Sequence, residues 1–271
     1  MSRRLPGRPR LESVPLDATA FHRVKRGGVD SEWEDAFALD TAAGRYALAD
    51  GASASVRAAD WAGHLVKGFL SDPFDLADSS ALAEWIGRRC AEFTRANPDP
   101  NAETMDTGNW VRLASSARHS FATFLGVEFG RGSGQDVTVG WVGVGDCCLL
   151  VVRGHHLLWS SPMGPGDSFG THPDLISSDP DLAARSAGRS FRGRAELAPD
   201  DLVLLMSDAL AEWALGSAGA GSGSWVQLGQ VDDHGFGALI DDLRDHDRIV
   251  NDDVTLVRIR VGRSAATGKG S

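Results

Sequence analysis

The sequence has little cysteine and no long apolar stretch. Only Cys90, Cys147 and Cys148 occur in 271 residues, and none belongs to a Cys-x-x-Cys pair. An odd number of cysteines argues against a disulfide framework and favours buried thiols in a reducing cytosol, so we expect a cytoplasmic protein. No apolar run approaches the roughly 20 residues that a transmembrane helix needs, so we expect no membrane partner.

Positive charge is scarce in the body of the chain and concentrated at its start. Four of the first ten residues are arginine, in a segment without the apolar region of a signal peptide. The formal net charge is −10 and no basic stripe follows, which argues against nucleic acid as a partner. We expect a disordered basic leader over 1–19, a folded domain over 20–261 and a disordered tail over 262–271.

Apolar periodicity divides the chain into blocks of strands and blocks of helices. The predicted strands cover 21–25, 35–40, 45–49, 136–144, 147–152, 155–159, 189–197, 202–206 and 254–261. The predicted helices cover about 54–72, 80–95, 109–125, 209–215 and 235–245. The segment 160–188 is predicted to be a functional loop or flap, and 216–224 a flexible linker. Because helices are segregated from strands, the pattern favours an α+β layered domain with antiparallel sheets over a doubly wound parallel sheet.

Acidic residues stand repeatedly where apolar strands meet loops. Asp50 ends one such strand and precedes Gly51, a pair that by itself could only shape a turn or cap a helix. Three further acidic sites share this setting, namely Glu34-Asp35, Asp208 and Asp252-Asp253. Their recurrence indicates a common site rather than four unrelated turns.

Carboxylates at the ends of buried strands are costly unless they are paired or bind a metal. The sequence shows no matching set of Lys or Arg along these strands, so a divalent cation is the natural counter-ion. The donors are all oxygen atoms, which suit Mg²⁺, Mn²⁺ or Ca²⁺ rather than Zn²⁺. Two ions bridged by one aspartate would generate a hydroxide and hold a phosphate for in-line attack.

The order of these motifs resembles that of the metal-dependent PP2C-type Ser/Thr phosphatases, the PPM family, over about residues 20–261. Four segments carry the resemblance: Ala49-Asp50-Gly51, Val144-Gly145-Asp146-Cys147, Met206-Ser207-Asp208-Ala209 and Asp252-Asp253-Val254-Thr255. Each motif is weak alone, but four in this order are fairly specific. Further similarity to a bacterial subgroup lies in Trp33-Glu34-Asp35 and in the segments 59–62 and 208–213.

The resemblance implies a four-layer α-β-β-α sandwich with two antiparallel sheets and a binuclear Mg²⁺ or Mn²⁺ centre. It implies hydrolysis of phosphoserine or phosphothreonine in a phosphoprotein by a metal-activated water. A role in bacterial signalling, opposing a Ser/Thr kinase, would follow. The segment 160–188 falls where the family carries a flap near its substrate.

The resemblance also assigns roles to residues at the two central metals. Asp50 would bridge both ions, and the Gly51 carbonyl would bind one of them. Asp208 and Asp252 would complete the coordination of one ion, and Asp50 and Asp208 would hold the catalytic water. Glu34 would bind the other ion.

Three more residues receive roles from the same resemblance. Asp35 would lie behind Glu34 or exchange places with it. Asp146 and Glu212 match positions that hold a third, weaker metal in many bacterial members.

Three positions depart from the family pattern. Ala52 stands where many members have a histidine proposed as general acid, and Ala209 replaces a glycine. No arginine lies just before Glu34-Asp35, so Arg26 is the candidate for phosphate binding. These departures keep open a metal-binding pseudophosphatase that serves as a phosphoprotein-binding regulatory module. A Ca²⁺-stabilised interaction domain is a third reading, whereas a serine nucleophile is disfavoured because no Gly-x-Ser-x-Gly elbow is present.

Overall fold

The computed structural model describes residues 16–98, 119–132, 137–170, 172–216 and 223–263. Its strands are β1 (Leu16–Arg23), β2 (Asp35–Asp40), β3 (Arg45–Asp50), β4 (Phe121–Ala122), β5 (Phe124–Arg131), β6 (Val137–Val144), β7 (Cys148–Arg153), β8 (His156–Ser161), β9 (Ile176–Ser177), β10 (Phe191–Leu197), β11 (Leu202–Met206) and β12 (Val254–Val261). Its helices are α1 (Ala58–Ser71), α2 (Ser79–Ala96), α3 (Ala183–Gly188), α4 (Asp208–Gly216), α5 (Ser224–Gln230) and α6 (Asp233–Asp245).

The strands form two five-stranded sheets and one small ribbon. The first sheet has the order β1-β12-β11-β7-β8, and the second has the order β10-β6-β5-β3-β2. Strands β4 and β9 form the ribbon, and every pairing among the described strands is antiparallel. Antiparallel sheets were expected from the segregation of helices and strands, and the structure confirms them.

The hydrophobic core lies in three slabs between four layers. Side chains of the two sheets that face each other form the central slab. Helices α1, α2 and α3 cover the outer face of the second sheet, and helices α4, α5 and α6 cover the outer face of the first. The fold is therefore the expected four-layer α-β-β-α sandwich.

Local sequence explains the best-predicted elements. Trp61, Leu65 and Phe69 recur at four-residue spacing in α1 and are fully buried against the second sheet. Strand β11 is apolar throughout because it lies inside the first sheet, with a helix layer on one side and the other sheet on the opposite side.

The predicted helix over 109–125 is wrong where the structure describes it. Phe121–Ala122 and Phe124–Arg131 are strands, and β5 is the central strand of the second sheet. Burial on both faces removes the alternation that identifies a strand, so spaced aromatic residues imitate a helix. The rest of that prediction, 109–118, lies outside the described residues.

One predicted loop and the predicted leader also need correction. Residues 16–19 belong to β1 and pair with β12, so the folded domain begins before residue 20, whereas 1–15 lie outside the described residues. The predicted flap contains β9 and α3, so the described residues without helix or strand before β9 are 162–170 and 172–175. Within the described ranges, no helix has the length and apolar content to cross a membrane.

Candidate functional site

Two carboxyl groups lie side by side at one end of the second sheet. Asp35 begins β2 and Asp50 ends β3, and the two are direct partners across the strands. Partners in an antiparallel pair project from the same face of a sheet. That face is the inner one, because Thr255 on β12 of the first sheet donates a hydrogen bond to Asp35 Oδ2 at 2.6 Å. The pair therefore stands between the two sheets.

Three more acidic residues approach this pair from other elements. Asp208 begins α4 directly after β11, Asp252 precedes β12, and Asp146 lies in the turn between β6 and β7. Burial raises the pKa of Asp50 well above its ordinary value, and the charges of Asp35, Asp208, Asp252 and Asp146 raise it further. The structure thus brings together five of the predicted acids. These five residues are called the inner cluster.

The inner cluster is short of compensating charge. Burial is the largest cause of a raised pKa at Asp35, which reaches about 7, and at Asp146, which reaches about 6. Burial also raises the pKa of Asp208, with Asp252 and Glu212 adding to the effect. Asp35 Oδ1 is buried without a hydrogen-bond donor, and Asp50 is its direct partner on the adjacent strand. Such a group of acids must hold either protons or a cation.

The residues present fit a hard divalent cation. The inner cluster offers only oxygen donors, the type that Mg²⁺ and Mn²⁺ prefer, and Asp35 Oδ1 is an unused ligand atom. In the described part of the chain, no three His, Cys, Asp or Glu side chains already stand at the spacing of a closed metal site.

Glu34 does not join the inner cluster. Its Oε2 lies 3.1 Å from Lys25 Nζ, and it accepts a hydrogen bond from Ser53 Oγ. Lys25 Nζ also lies 3.4 Å from Ser53 Oγ. The expectation that these acids lack cationic partners is therefore wrong for Glu34. The predicted strand over 21–25 already included Lys25, but no local pattern indicated that this residue lies beside Glu34.

The neighbouring acids Asp252 and Asp253 differ in what they contact. Asp253 is buried, and its two carboxylate oxygens accept hydrogen bonds from the backbone N–H of Lys25 and of Glu34, each at 2.8 Å. Asp252 is half-buried and its charge acts on Asp50 and Asp208. Asp253 therefore fastens the loop that carries Glu34, whereas Asp252 belongs to the inner cluster.

Close backbone contacts fix the Asp50 turn. The Gly51 N–H donates to Glu34 O at 3.2 Å, and a Cβ at Gly51 would lie 2.7 Å from that oxygen and 2.9 Å from the carbonyl carbon of Ala58. Thr123 Oγ1 accepts from the Asp50 N–H at 3.2 Å, and the Thr123 N–H donates to Asp50 O at 2.8 Å. Thr123 was missed because its segment imitates a helix.

Arg26 and Glu212, two further predicted site residues, also lie outside the inner cluster. The exposed Arg26 guanidinium pairs with Asp245 of α6 at 2.6 Å, so its phosphate role stays a prediction. Glu212 is exposed one turn after Asp208 in α4, where its charge helps to raise the pKa of Asp208.

The sequence matches no family model and no curated protein. Among solved structures, it is similar to the catalytic domain of the serine/threonine phosphatase PstP in complex with two manganese ions. That match has a TM-score of 0.57 and 18% identity, and covers 92% of this chain and 99% of the other. Another is PstP/Ppp of Mycobacterium tuberculosis, with a TM-score of 0.56, 16% identity, and coverage of 92% and 100%.

A third similar structure is PppA, a regulatory component of T6SS in Pseudomonas aeruginosa. Its TM-score is 0.51 at 20% identity, and the match covers 92% of this chain and 99% of PppA. These matches span nearly the whole chain and share its two packed antiparallel sheets. The chain therefore has the fold of the bacterial PP2C-type Ser/Thr phosphatases.

Proposed function

We propose that this protein is a metal-dependent phosphatase that hydrolyses phosphoserine or phosphothreonine in phosphoproteins. The observation that carries the proposal is the inner cluster, in which acids from both sheets meet at one end of a PP2C-type fold. A phosphoprotein substrate, opposition to a Ser/Thr kinase, a cytoplasmic location and a domain running to residue 261 form part of the same proposal.

In this proposal the inner cluster, together with Glu34 and the Gly51 carbonyl, would hold two Mn²⁺ or Mg²⁺ ions. Asp50 would be a ligand of both, Asp208 and Asp252 would be ligands of one, and the Gly51 carbonyl and Glu34 would be ligands of the other. Divalent ions of this kind lower the pKa of a bound water and offset the negative charge of a phosphoryl group.

The chain's own groups position the proposed ligands. Thr123 holds the backbone of Asp50 from both sides, and Thr255 orients Asp35 across the gap between the sheets. Asp35 then supports Asp50 from the adjacent strand. Asp146 and Glu212 are the proposed ligands of a third, weaker ion.

The first experiment measures hydrolysis of p-nitrophenyl phosphate and of a phosphothreonine peptide with Mn²⁺ or Mg²⁺. Asp50→Asn and Asp208→Asn should each lower turnover by at least about 100-fold, because each removes charge from the ion site. Asp181→Asn, at an exposed acid in a short 3-10 turn, is the matched control and should leave turnover unchanged. Absence of turnover by metal-loaded wild-type protein would exclude the enzyme.

The second candidate function is a metal-binding pseudophosphatase that recognises phosphoproteins without hydrolysing them. Two observations favour it: Glu34 is held by Lys25, and Ala52 stands where the family resemblance calls for a histidine. Calorimetric binding of a phosphothreonine peptide without phosphate release would support this function over the enzyme.

A further inference from the structure

The proposed ligand Glu34 already has a cation from its own chain. Lys25 Nζ lies 3.1 Å from Glu34 Oε2, and Ser53 contacts both side chains. The two charged side chains are only 33% and 22% exposed. Lys25 and Glu34 line a cavity of about 590 Å³ beside Ser53 and Arg57, so the pair is accessible from solvent.

The ion pair is held from behind by the backbone. The Asp253 carboxylate accepts one hydrogen bond from the Lys25 N–H and one from the Glu34 N–H, both at 2.8 Å. A surface pair usually contributes little because two long side chains must be ordered to form it. Here one buried carboxylate orders both residues in advance, so the pair is preorganised.

The inner cluster presents the opposite situation. No Lys, Arg or His of the described residues forms an ion pair with Asp35, Asp50, Asp146 or Asp208. An entering ion therefore relieves repulsion in the inner cluster, whereas an ion that binds Glu34 must first displace an ammonium group.

We propose that the Lys25 ammonium group occupies the place of the second cation, so that the centre binds one divalent ion tightly and the ion at Glu34 weakly. This inference rests on the proposed function, because it takes Glu34 as a ligand of the second ion. A protein with this arrangement holds one ion at low metal concentration and fills the Glu34 site only when metal is abundant.

Calorimetric titration of the metal-free wild-type protein with Mn²⁺ tests the inference without any variant. The expected result is one tight ion, with the ion at Glu34 and the third ion proposed at Asp146 and Glu212 each binding at least about tenfold more weakly, the scale on which residues around metal ligands alter affinity. Two ions that bind equally tightly would overturn the inference.

Variants identify which ion depends on Lys25. Lys25→Met should tighten the ion at Glu34 about tenfold and change the tight ion much less, because Lys25 contacts Glu34 directly and acts on Asp252 only through its charge. Lys25→Arg should resemble wild type because it keeps the charge. Lys67→Met, at an exposed lysine on α1, is the matched control and should change neither ion. In a Glu34→Gln background, the effect of Lys25→Met should disappear, as expected for two residues that act through one contact.

The outcomes separate this inference from the proposed function. If wild-type protein binds Mn²⁺ but Lys25→Met leaves both affinities within twofold of it, the inference fails and the proposed function stands. If no variant binds Mn²⁺ while all remain folded by circular dichroism, the metal-dependent function fails as well.

Discussion

Strand β11 has one acid before it and another after it, and the two acids have different partners. Asp201 precedes the strand, is fully buried, and accepts two hydrogen bonds from the Arg153 guanidinium at 2.7 and 2.8 Å. Asp208 follows the strand and has no such partner among the described residues. Burial instead raises the pKa of Asp208, and the negative charges of Asp252 and Glu212 add to that effect.

The difference separates a structural acid from a functional one. A buried carboxylate with a fitted guanidinium has its charge compensated by the protein itself. The acids of the inner cluster lack that compensation, so the metal-free protein carries an unfavourable interaction that a bound cation relieves. Three stability measurements sharpen this contrast between the two ends of β11.

The largest expected effect is a loss of stability of the metal-free protein as the pH rises. Folding raises the pKa of Asp35 to about 7 and of Asp146 to about 6, from ordinary values of 3.8. The folded state therefore binds more protons than the unfolded state between about pH 4 and 7, and stability falls through that window. Asp35 should contribute more to this loss than Asp146, because burial raises its pKa further.

Urea unfolding with EDTA at pH 5 and pH 8 measures this effect. Saturating Mn²⁺ should restore stability at pH 8, and Asp35→Asn should flatten the pH dependence. If the metal-free protein is as stable at pH 8 as at pH 5, other groups of the protein compensate the negative charge of the inner cluster, and the expectation is wrong.

The next effect compares the two acids of β11 directly. Asp201→Ala should lower the free energy of unfolding by about 2–3 kcal/mol, because it removes the partner of Arg153 and an acceptor for the Ala198 N–H. The cost is not larger because the half-exposed Arg153 side chain can be solvated by water. Asp208→Ala should leave the metal-free protein at least as stable as wild type. Urea unfolding at pH 8 measures the stability of both variants. Equal losses of unfolding free energy would contradict the distinction between Asp201 and Asp208.

The smallest effect separates the adjacent acids Asp252 and Asp253. Asp253→Ala should cost about 1–2 kcal/mol in the metal-free protein, because the half-buried N–H groups of Lys25 and Glu34 lose their acceptor. Asp252→Ala should change metal-free stability by less and weaken Mn²⁺ binding more. If the two variants lose the same stability and the same affinity, Asp253 is not the residue that fastens the loop.

The sequence predicted elements whose local pattern is unambiguous. Strands β11 and β12 have the predicted bounds, 202–206 and 254–261, because each is a compact apolar run between turn residues. The acids were predictable as strand-end residues for the same reason. Strand β5 was not predictable, because a strand buried on both faces loses the alternation of polar and apolar residues, and its aromatic residues fall at helical spacing.

The partners of the acids could not be predicted from local pattern. Which strand ends meet depends on the order of strands in two sheets, and that order brings Asp35 to Asp50 and to Thr255. The contact of Lys25 with Glu34 depends on Asp253, 228 residues away from Lys25. A residue pattern around Glu34 contains no signal of such a distant contact.

The most direct test of the central claim is anomalous scattering from Mn²⁺ in a crystal of the wild-type protein soaked with the metal. We expect a manganese peak between the two sheets, in contact with Asp50 and Asp208. A peak at another place, or an inner cluster that stays free of manganese at saturating metal, would contradict it.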